Sequence, residues 1–474
     1  MKWRSLSVAA LAAMLAAAGP ARRENLAEAW GIALNVNQQL QAQQQATVAA
    51  GFNVKAAESA RYVTVRTQQF NTILSNSPTT RASIVGGSGT GTGAGAGAGT
   101  TGAIGAIGAL PRVYILGPNQ SFLPFSLTTA SIPIYTGGRL VRTVDAARSS
   151  LGAQKKEEFR TVLDLKLTVA EAYVAVLRAR RNLETTRSNV EQLTSFARDV
   201  RNRLDQGLAI RSDDLAAQVS LANAQLNEIT ARTTLESAWA TYNRYLCRPL
   251  EVMVELEEIS ALPADANWEA MAARVVRSRG EFAGVNDAEA RDLTARAIRS
   301  RPELAGLADQ ARSLNAQADA TRANLRPQVS LTGGFLFNGA ESFAPQGYGL
   351  ASLSVDWTMT DSGRTRRQAE AVRAQERATL KRRADAAADV ALQVRTRWLD
   401  LQTARQRVPI ARFAVSQADE NVKVVTDRYR QQLSTYTEVL DAETRRITSL
   451  NGFYNSVYDE NLATFRLRRA VGDI

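Results

Sequence analysis

Two periodicities alternate along this chain. From Leu26 to about Ser59, and again from Asp287 to about Asn324, the residues read as one helix in each stretch. Two strand-like segments follow each helix. In Pro327 to Phe337, Val329, Leu331, Phe335 and Phe337 fall on one face, and Gln328, Ser330, Thr332 and Gly334 on the other. In the next segment Ala351, Leu353, Val355 and Trp357 oppose Ser352, Ser354 and Asp356. A period of two predicts strands with one apolar and one polar face. The segment after Tyr62 alternates less cleanly and is placed by its partner in the second half. Very long helical patterns come next, Arg139 to about Asp205 and Arg364 to about Arg430. Each leads through a short break into a second helix, about Ser212 to Tyr245 and Tyr436 to Arg469. A helix of about 65 residues would be about 100 Å long and needs a coiled-coil-like partner along its length. Its apolar positions are mostly Ala, Val and Leu in a narrow stripe, which suits close helix packing and not a thick core.

The chain repeats itself. Ser131 to Arg139 resembles Asp356 to Arg364, and Gly138 matches Gly363, 225 positions on. The same offset pairs Tyr173 with Trp398, Leu215 with Leu440 and Ala217 with Ala442 without a gap. The earlier helices align at an offset of 264, Leu40 with Leu304, so the first half carries 39 extra residues between the two alignments. The Gly-rich tract lies in that interval, and an insertion tolerated at one point behaves as an exposed hairpin loop. The expected organisation is a signal peptide at 1–21 and a first structural repeat at 22–250 with a Gly-rich loop at 86–110. A linker or equatorial segment at 251–286 and a second repeat at 287–474 complete it.

Composition narrows the class. Lys2 and Arg4, the apolar run Val8 to Ala18 and the small residues Ala18, Gly19 and Ala21 read as a secretory signal cleaved after Ala21. No Cys follows it, so no lipid anchor is expected at that point. No later stretch has the length of a transmembrane helix, so a membrane crossing would have to be a closed β-barrel. Four strands cannot close one, since the smallest membrane barrels have about 8; several chains would have to share it. The 474 residues contain one cysteine, Cys247, and no histidine. That excludes an internal disulfide, a Ser/His/Asp triad and a Cys-based zinc site, and no catalytic residue, metal or other cofactor is expected. The formal charge is +12, but the arginines are spread along helices among Asp and Glu, without a basic tail or nucleic-acid motif. Solvated helix faces explain them, and no nucleic-acid partner is expected. Gly97 to Gly102 satisfies GxGxxG inside a low-complexity run that follows no strand and opens no helix, so it reads as a flexible surface loop.

Several local motifs, in order and twice over, resemble the TolC-like outer-membrane factors, the outer membrane efflux protein family. They are Leu26-Ala27 to Ala33-Leu34, Ala297-Ile298 with Arg301-Pro302-Glu303-Leu304, and Leu325 to Leu331. The Gly-Gly-Arg or Ser-Gly-Arg after the second strand of each half and Tyr429 to Ala442, with Glu438-Val439-Leu440-Asp441-Ala442, complete the set. The resemblance covers nearly the whole mature chain. It implies a mainly α fold with a small β part: a homotrimer pooling four strands per chain into a 12-stranded outer-membrane β-barrel, above a long periplasmic α-barrel. The partners it implies are a periplasmic adaptor, an inner-membrane transporter and outer-membrane lipid, with no enzymatic chemistry. The function would be an exit duct for efflux or type I secretion. The alternative from the residues alone is a secreted or periplasmic coiled-coil scaffold without a pore. The chain departs from the family pattern at Gln432, where many members carry Gly, and at Cys247, where Gly is common; Gly472 stands at the equivalent place of the second half. A basic gate partner seen in some members is replaced by Ser434.

The resemblance places a periplasmic gate at Tyr429, Glu438 and Asp441, and adaptor-facing turns at Gly207-Leu208 and Gln432-Leu433. Glu438 and Asp441 lie three apart on one helical face; three chains would make two acidic rings at a constriction, which would select cations. The same pair also reads as two solvated carboxylates at a helix start, where the helix dipole favours them. Phe122, Phe125 and Tyr135 in the first half and Phe343, Tyr348 and Trp357 in the second suit interfacial girdles, although an ordinary half-buried sheet alternates equally well.

Overall fold

The computed structural model describes residues 23–73, 122–207, 210–259, 287–338, 347–431 and 433–474. The expected signal peptide, the Gly-rich loop and the linker beyond residue 259 lie outside the described residues. The first half runs α1 (Leu26–Val36), α2 (Gln38–Ser59), β1 (Thr64–Ile73), β2 (Phe122–Tyr135), α3 (Arg139–Asp205) and α4 (Arg211–Tyr245). The second runs α5 (Asp287–Ser300), α6 (Pro302–Ala323), β3 (Gln328–Asn338), β4 (Gly347–Asp356), α7 (Arg364–Arg430) and α8 (Tyr436–Val471). The order is the same twice, mainly α with one small sheet.

One expectation needs correction. The single helices expected from Leu26 to Ser59 and from Asp287 to Asn324 are each two. Asn37 leaves the helical region at φ −66, ψ 121, and its Oδ1 accepts the backbone N–H of Gln39 (3.0 Å) and Leu40 (3.2 Å), capping α2. Arg301 precedes Pro302, which disfavours helical backbone before it and itself suits the first helical position. The two breaks share a further contact. Asn37 Nδ2 donates to the Tyr245 carbonyl at 3.2 Å, and Arg301 Nε to the Ala470 carbonyl at 2.9 Å. Asn37 and Arg301 are related by the offset of 264, and Tyr245 and Ala470 by that of 225. Each repeat therefore clasps its last long helix with the side chain at its helix break. Backbone conformation repeats as well: Gly137 and Ser362, Gly138 and Gly363, and Cys247 and Gly472 all have positive φ.

Two compact units arise, and each draws on both repeats. One contains the described parts of Met1–Thr47, Gln154–Gly306 and Arg382–Ile474. Its largest core gathers Val169, Tyr173 and Leu177 of α3, Trp239 and Tyr242 of α4, Ala29 and Ala33 of α1, and Leu256. Along α4 the buried Ala217, Ala224 and Ala231 recur every seven residues, a coiled-coil spacing that lets helices approach closely. Glu24 is buried here and is satisfied by Tyr242 Oη at 2.5 Å and Arg248 at 2.7 Å. Its backbone pairs with the linker segment at Leu256. Burial pushes the Tyr242 phenol well up, helped by the hydrogen bond to Glu24. A second buried group explains the Arg301-Pro302-Glu303-Leu304 motif structurally. Arg469 bonds Asp164 (2.7 Å) and Glu303 (2.8 Å), and Arg301 bonds Gln393 (2.9 Å). Burial raises the Glu303 carboxyl, but the Arg469 hydrogen bond and the charges of Arg469 and Arg301 outweigh it, and it sits below the usual range.

The other unit, the described parts of Val48–Ala153 and Leu307–Lys381, holds the sheet. Its order is β1-β2-β3-β4, every pair antiparallel. The register shifts between Pro133 and Tyr135, where Pro133 has no N–H to donate to the ladder. β1 and β4 are its two edges. Arg326, donating to the Gly137 carbonyl at 2.9 Å, and Ser313, donating to that of Ala146 at 2.8 Å, tie α6 to the start of α3.

Candidate functional site: the membrane face and the helix turns

The pairing register sorts the sheet residues onto two faces. Leu331 lies opposite Ile132 and Leu353, Val329 opposite Val355, and Val65 opposite Ala130. This face is apolar across β3 and β4, while Thr67, Gln69, Ser126 and Thr128 interrupt it on β1 and β2, and it is bare: Val65, Leu331, Phe335, Phe337, Leu353 and Val355 are all exposed, Leu353 to 64%. The opposite face carries Ser330 against Ser354, joined Oγ to Oγ at 2.7 Å, and Ser131, Thr332 and Ser352 in one row, with Leu127, Leu336 and Leu350 farther along it. Hydrophobic burial would invert this pattern in a soluble sheet. An apolar face turned outward and a polar one behind it is the arrangement of a strand between lipid and an aqueous lumen. The strands of 10, 11 and 10 residues at β1, β3 and β4 match the span such strands need, about 9–11 residues.

The expected girdle aromatics separate into two levels. Tyr135 and Trp357 are exposed at the end of the sheet where the chain passes into helices, and Trp357 Nε1 donates to the Leu325 carbonyl at 3.2 Å. Trp357 lies just past β4, not inside it as the alternation suggests. Tyr348, partnered with Leu336, is at the opposite end. Phe343 and the side chains of Phe122 and Phe125 lie outside the described residues. Sequence reading missed Tyr62, 70% exposed just before β1 at the level of Tyr135 and Trp357; its place at a strand start was the available signal.

At the helix turns the expected residues come together in part. Gly207 ends α3 at φ 74, and Leu433, whose N–H reaches the Arg428 carbonyl at 2.8 Å, is exposed. Leu208 and Gln432 lie outside the described residues. Tyr429 packs against Tyr436 with ring centroids 5.9 Å apart, under the guanidinium of Arg203 at 5.0 Å. Both rest on Phe196 and Val200 of α3 and Ala217 of α4. Tyr436 is fully buried, and burial pushes its phenol up to about 12. It was missed from sequence, though it stands seven residues from Tyr429. Asp214 was missed too. It is 2% exposed and accepts from Arg211 (3.0 Å), Arg201 (3.3 Å) and Gln218 (3.1 Å), which ties α3 to α4.

Glu438 and Asp441 are both exposed at the start of α8. Glu438 accepts from Ser434 Oγ at 2.6 Å and Thr435 Oγ1 at 3.4 Å, while its own N–H meets Thr435 Oγ1. The Ser434 hydroxyl is the main cause that holds this carboxyl below its usual range. Ser434 therefore engages Glu438 directly. Asp441, one turn on, makes no ion pair among the described residues.

The family model for outer membrane efflux proteins matches residues 124–246 and 293–473, well over half of the chain. The chain belongs to the outer membrane efflux protein family. No curated protein matches its sequence. Its fold is similar to that of the Campylobacter jejuni CmeC outer membrane channel, at TM-score 0.71 and 13% identity over 95% of this chain and 86% of that one. It is also similar to the outer membrane protein VceC of Vibrio cholerae, at 0.69 and 14% over 94% and 96%. The open-state MtrE channel of Neisseria gonorrhoeae matches at 0.68 and 15% over 94% and 89%. This outer membrane efflux protein pairs long helices with a four-stranded sheet. Among its described residues no helix is long and apolar enough to cross a membrane.

Proposed function

We propose that this protein is the passive exit duct of a tripartite efflux system. Three copies pool their strands into one 12-stranded barrel, and their helices continue the duct into the periplasm. There the turns at Gly207-Leu208 and Gln432-Leu433 meet an adaptor, which links the duct to an inner-membrane transporter. Type I secretion would use the same parts. The observation that carries this reading is the bare apolar sheet face with two unpaired edge strands. Edge strands in lipid leave backbone groups unsatisfied, so one chain cannot complete the barrel. A coiled-coil scaffold without a pore has no use for such a face.

The test is assembly and conductance. The purified protein should run as a detergent-dependent trimer by light scattering with detergent-mass correction, and should open discrete conductances in planar bilayers. A stable monomer that stays soluble without detergent would sink the proposal.

A further inference from the structure

We propose that the helix-side end of the sheet carries a basic collar that binds the phosphate headgroups of anionic membrane phospholipid. Arg139 and Arg142 open α3, and Arg364, Arg366 and Arg367 open α7; neither helix has an acidic residue in its first turn. The pattern is doubled, since Arg139 and Arg364, and Arg142 and Arg367, are related by the repeat offset of 225. Cations at a helix N-terminus oppose the helix dipole, so the stability of these helices does not account for them. Arg61, after α2, and Arg326, after α6, add to the same end of the same unit. Arg61, Arg326, Arg364, Arg366 and Arg367 are exposed.

The local acids leave much of this charge uncompensated. Glu370 pairs with Arg366 at 3.4 Å, and Asp145 and Asp319 stand 3.7 and 4.0 Å from Arg142. Asp361 faces Arg364, but it already accepts the N–H groups of Gly363 (3.0 Å) and Thr365 (2.8 Å). Asp356 and Glu58, the latter engaged by Arg148 at 2.7 Å, are the remaining acids near these arginines. Among the described residues Arg61 and Arg367 make no ion pair.

What covers the collar follows from what adjoins it. The exposed Leu331, Leu353 and Val355 meet acyl chains, and Tyr62, Tyr135 and Trp357 mark the interface at the sheet end. The next layer of a bilayer is phosphate, which guanidinium groups bind in bidentate fashion. A zwitterionic headgroup brings its own ammonium; an anionic one leaves the phosphate charge for the protein. The inference rests on the sheet lying in the membrane, as proposed above.

Reconstituting the full-length protein in phosphatidylcholine vesicles tests both. Acyl-brominated phosphatidylglycerol or acyl-brominated phosphatidylcholine is added at equal fraction. Quenching of Trp357 is read as the difference between wild type and Trp357→Phe. We expect phosphatidylglycerol to be preferred by about five-fold or more, the factor for one engaged guanidinium. The preference should collapse at about 1 M salt, where the Debye length is about 3 Å. It should also be lost in the combined Arg61→Gln, Arg364→Gln, Arg366→Gln and Arg367→Gln protein, and kept when the same four are changed to Lys. Should the Gln protein fail to insert, the wild-type salt series still decides. Equal quenching by the two lipids in wild type, or a preference that survives high salt, overturns the collar while leaving the sheet in the bilayer. No quenching by either lipid overturns the membrane placement and the collar with it.

Discussion

Cys247 sits at φ 52, a left-handed conformation in which a side chain crowds the following carbonyl. Its counterpart in the second repeat, Gly472, takes φ 90 at the same place after the last helix, where its N–H reaches the Arg468 carbonyl at 2.9 Å. The turn needs left-handed backbone in both repeats, and only one of them supplies the residue suited to it. Strain of about 1–2 kcal/mol is partly offset by the extra chain entropy a glycine brings to the unfolded state, about 0.5–1 kcal/mol. Cys247→Gly should therefore raise stability by up to about 1 kcal/mol, seen as a higher temperature for loss of the helical circular-dichroism signal in detergent. Gly472→Ala should act the other way: besides the strained φ, a Cβ there would stand 3.2 Å from Ser300 Oγ. If both substitutions leave the transition unmoved, the turn is not under strain. The chemistry of this position was legible from the chain alone, because the repeat alignment sets Cys247 against Gly472; the sign of its φ was not.

The sheet carries the membrane reading at the scale of elements, and its two faces can be told apart by charge. Leu353 is exposed on the apolar face and Ser352 lies on the other. An arginine turned to lipid near mid-bilayer costs about 2–4 kcal/mol, whereas a lumen position accepts one. Leu353→Arg should lower the yield of assembled protein in outer-membrane fractions, and Ser352→Arg should leave it near wild type. Equal yields would mean that the apolar face does not meet lipid. β3 and β4 were readable because Val329, Leu331, Leu353 and Val355 keep a strict period of two. β1 was not: Thr64-Val65-Arg66-Thr67-Gln68-Gln69 offers one apolar residue to set the phase, and only pairing with β2 fixes its faces. The long helices were legible almost to the residue, since their stripe persists for many turns. The breaks at Asn37 and Arg301 were hidden because the helical period runs on through them. What ends each helix is a cap and a proline, and what holds the break is a long-range bond to Tyr245 or Ala470. At the helix turns the acidic pair was legible, but the buried Tyr436 and Asp214 were not, because their burial comes from α3 packing that no local pattern encodes.

A single chain leaves more apolar surface bare than the sheet alone. On α4 Leu215, Val219, Leu226 and Ile229 are exposed, opposite the buried alanines of the same helix. Surface of that kind is covered in an assembly, and in the threefold assembly proposed above single residues would become rings, the proposed gate among them. Glu438 and Asp441 share one face of α8, three residues apart, so three copies would set two acidic rings of three carboxylates each. The Ser434 and Thr435 hydroxyls hold Glu438 in place and favour its charged form, while Asp441 has no such tether. If the rings face the lumen at its narrowest point, they should bind cations and favour their flow. The double substitution Glu438→Gln with Asp441→Asn removes this charge with little change of shape. Gln retains the hydrogen-bonding reach that a residue three places after a Thr cap uses, and exposed charges contribute little to stability, so assembly should survive. Planar-bilayer recordings should then show weaker cation selectivity and less block by multivalent cations. Of the single substitutions, Asp441→Asn removes the charge of one ring and Glu438→Gln that of the other, and both leave the Thr435 hydroxyl capping the backbone N–H of residue 438; a loss of selectivity in only one of them would assign it to that ring. Unchanged selectivity and unchanged block in a double mutant that still assembles would make these carboxylates a solvated helix face, and would move the search for the constriction elsewhere near the turns.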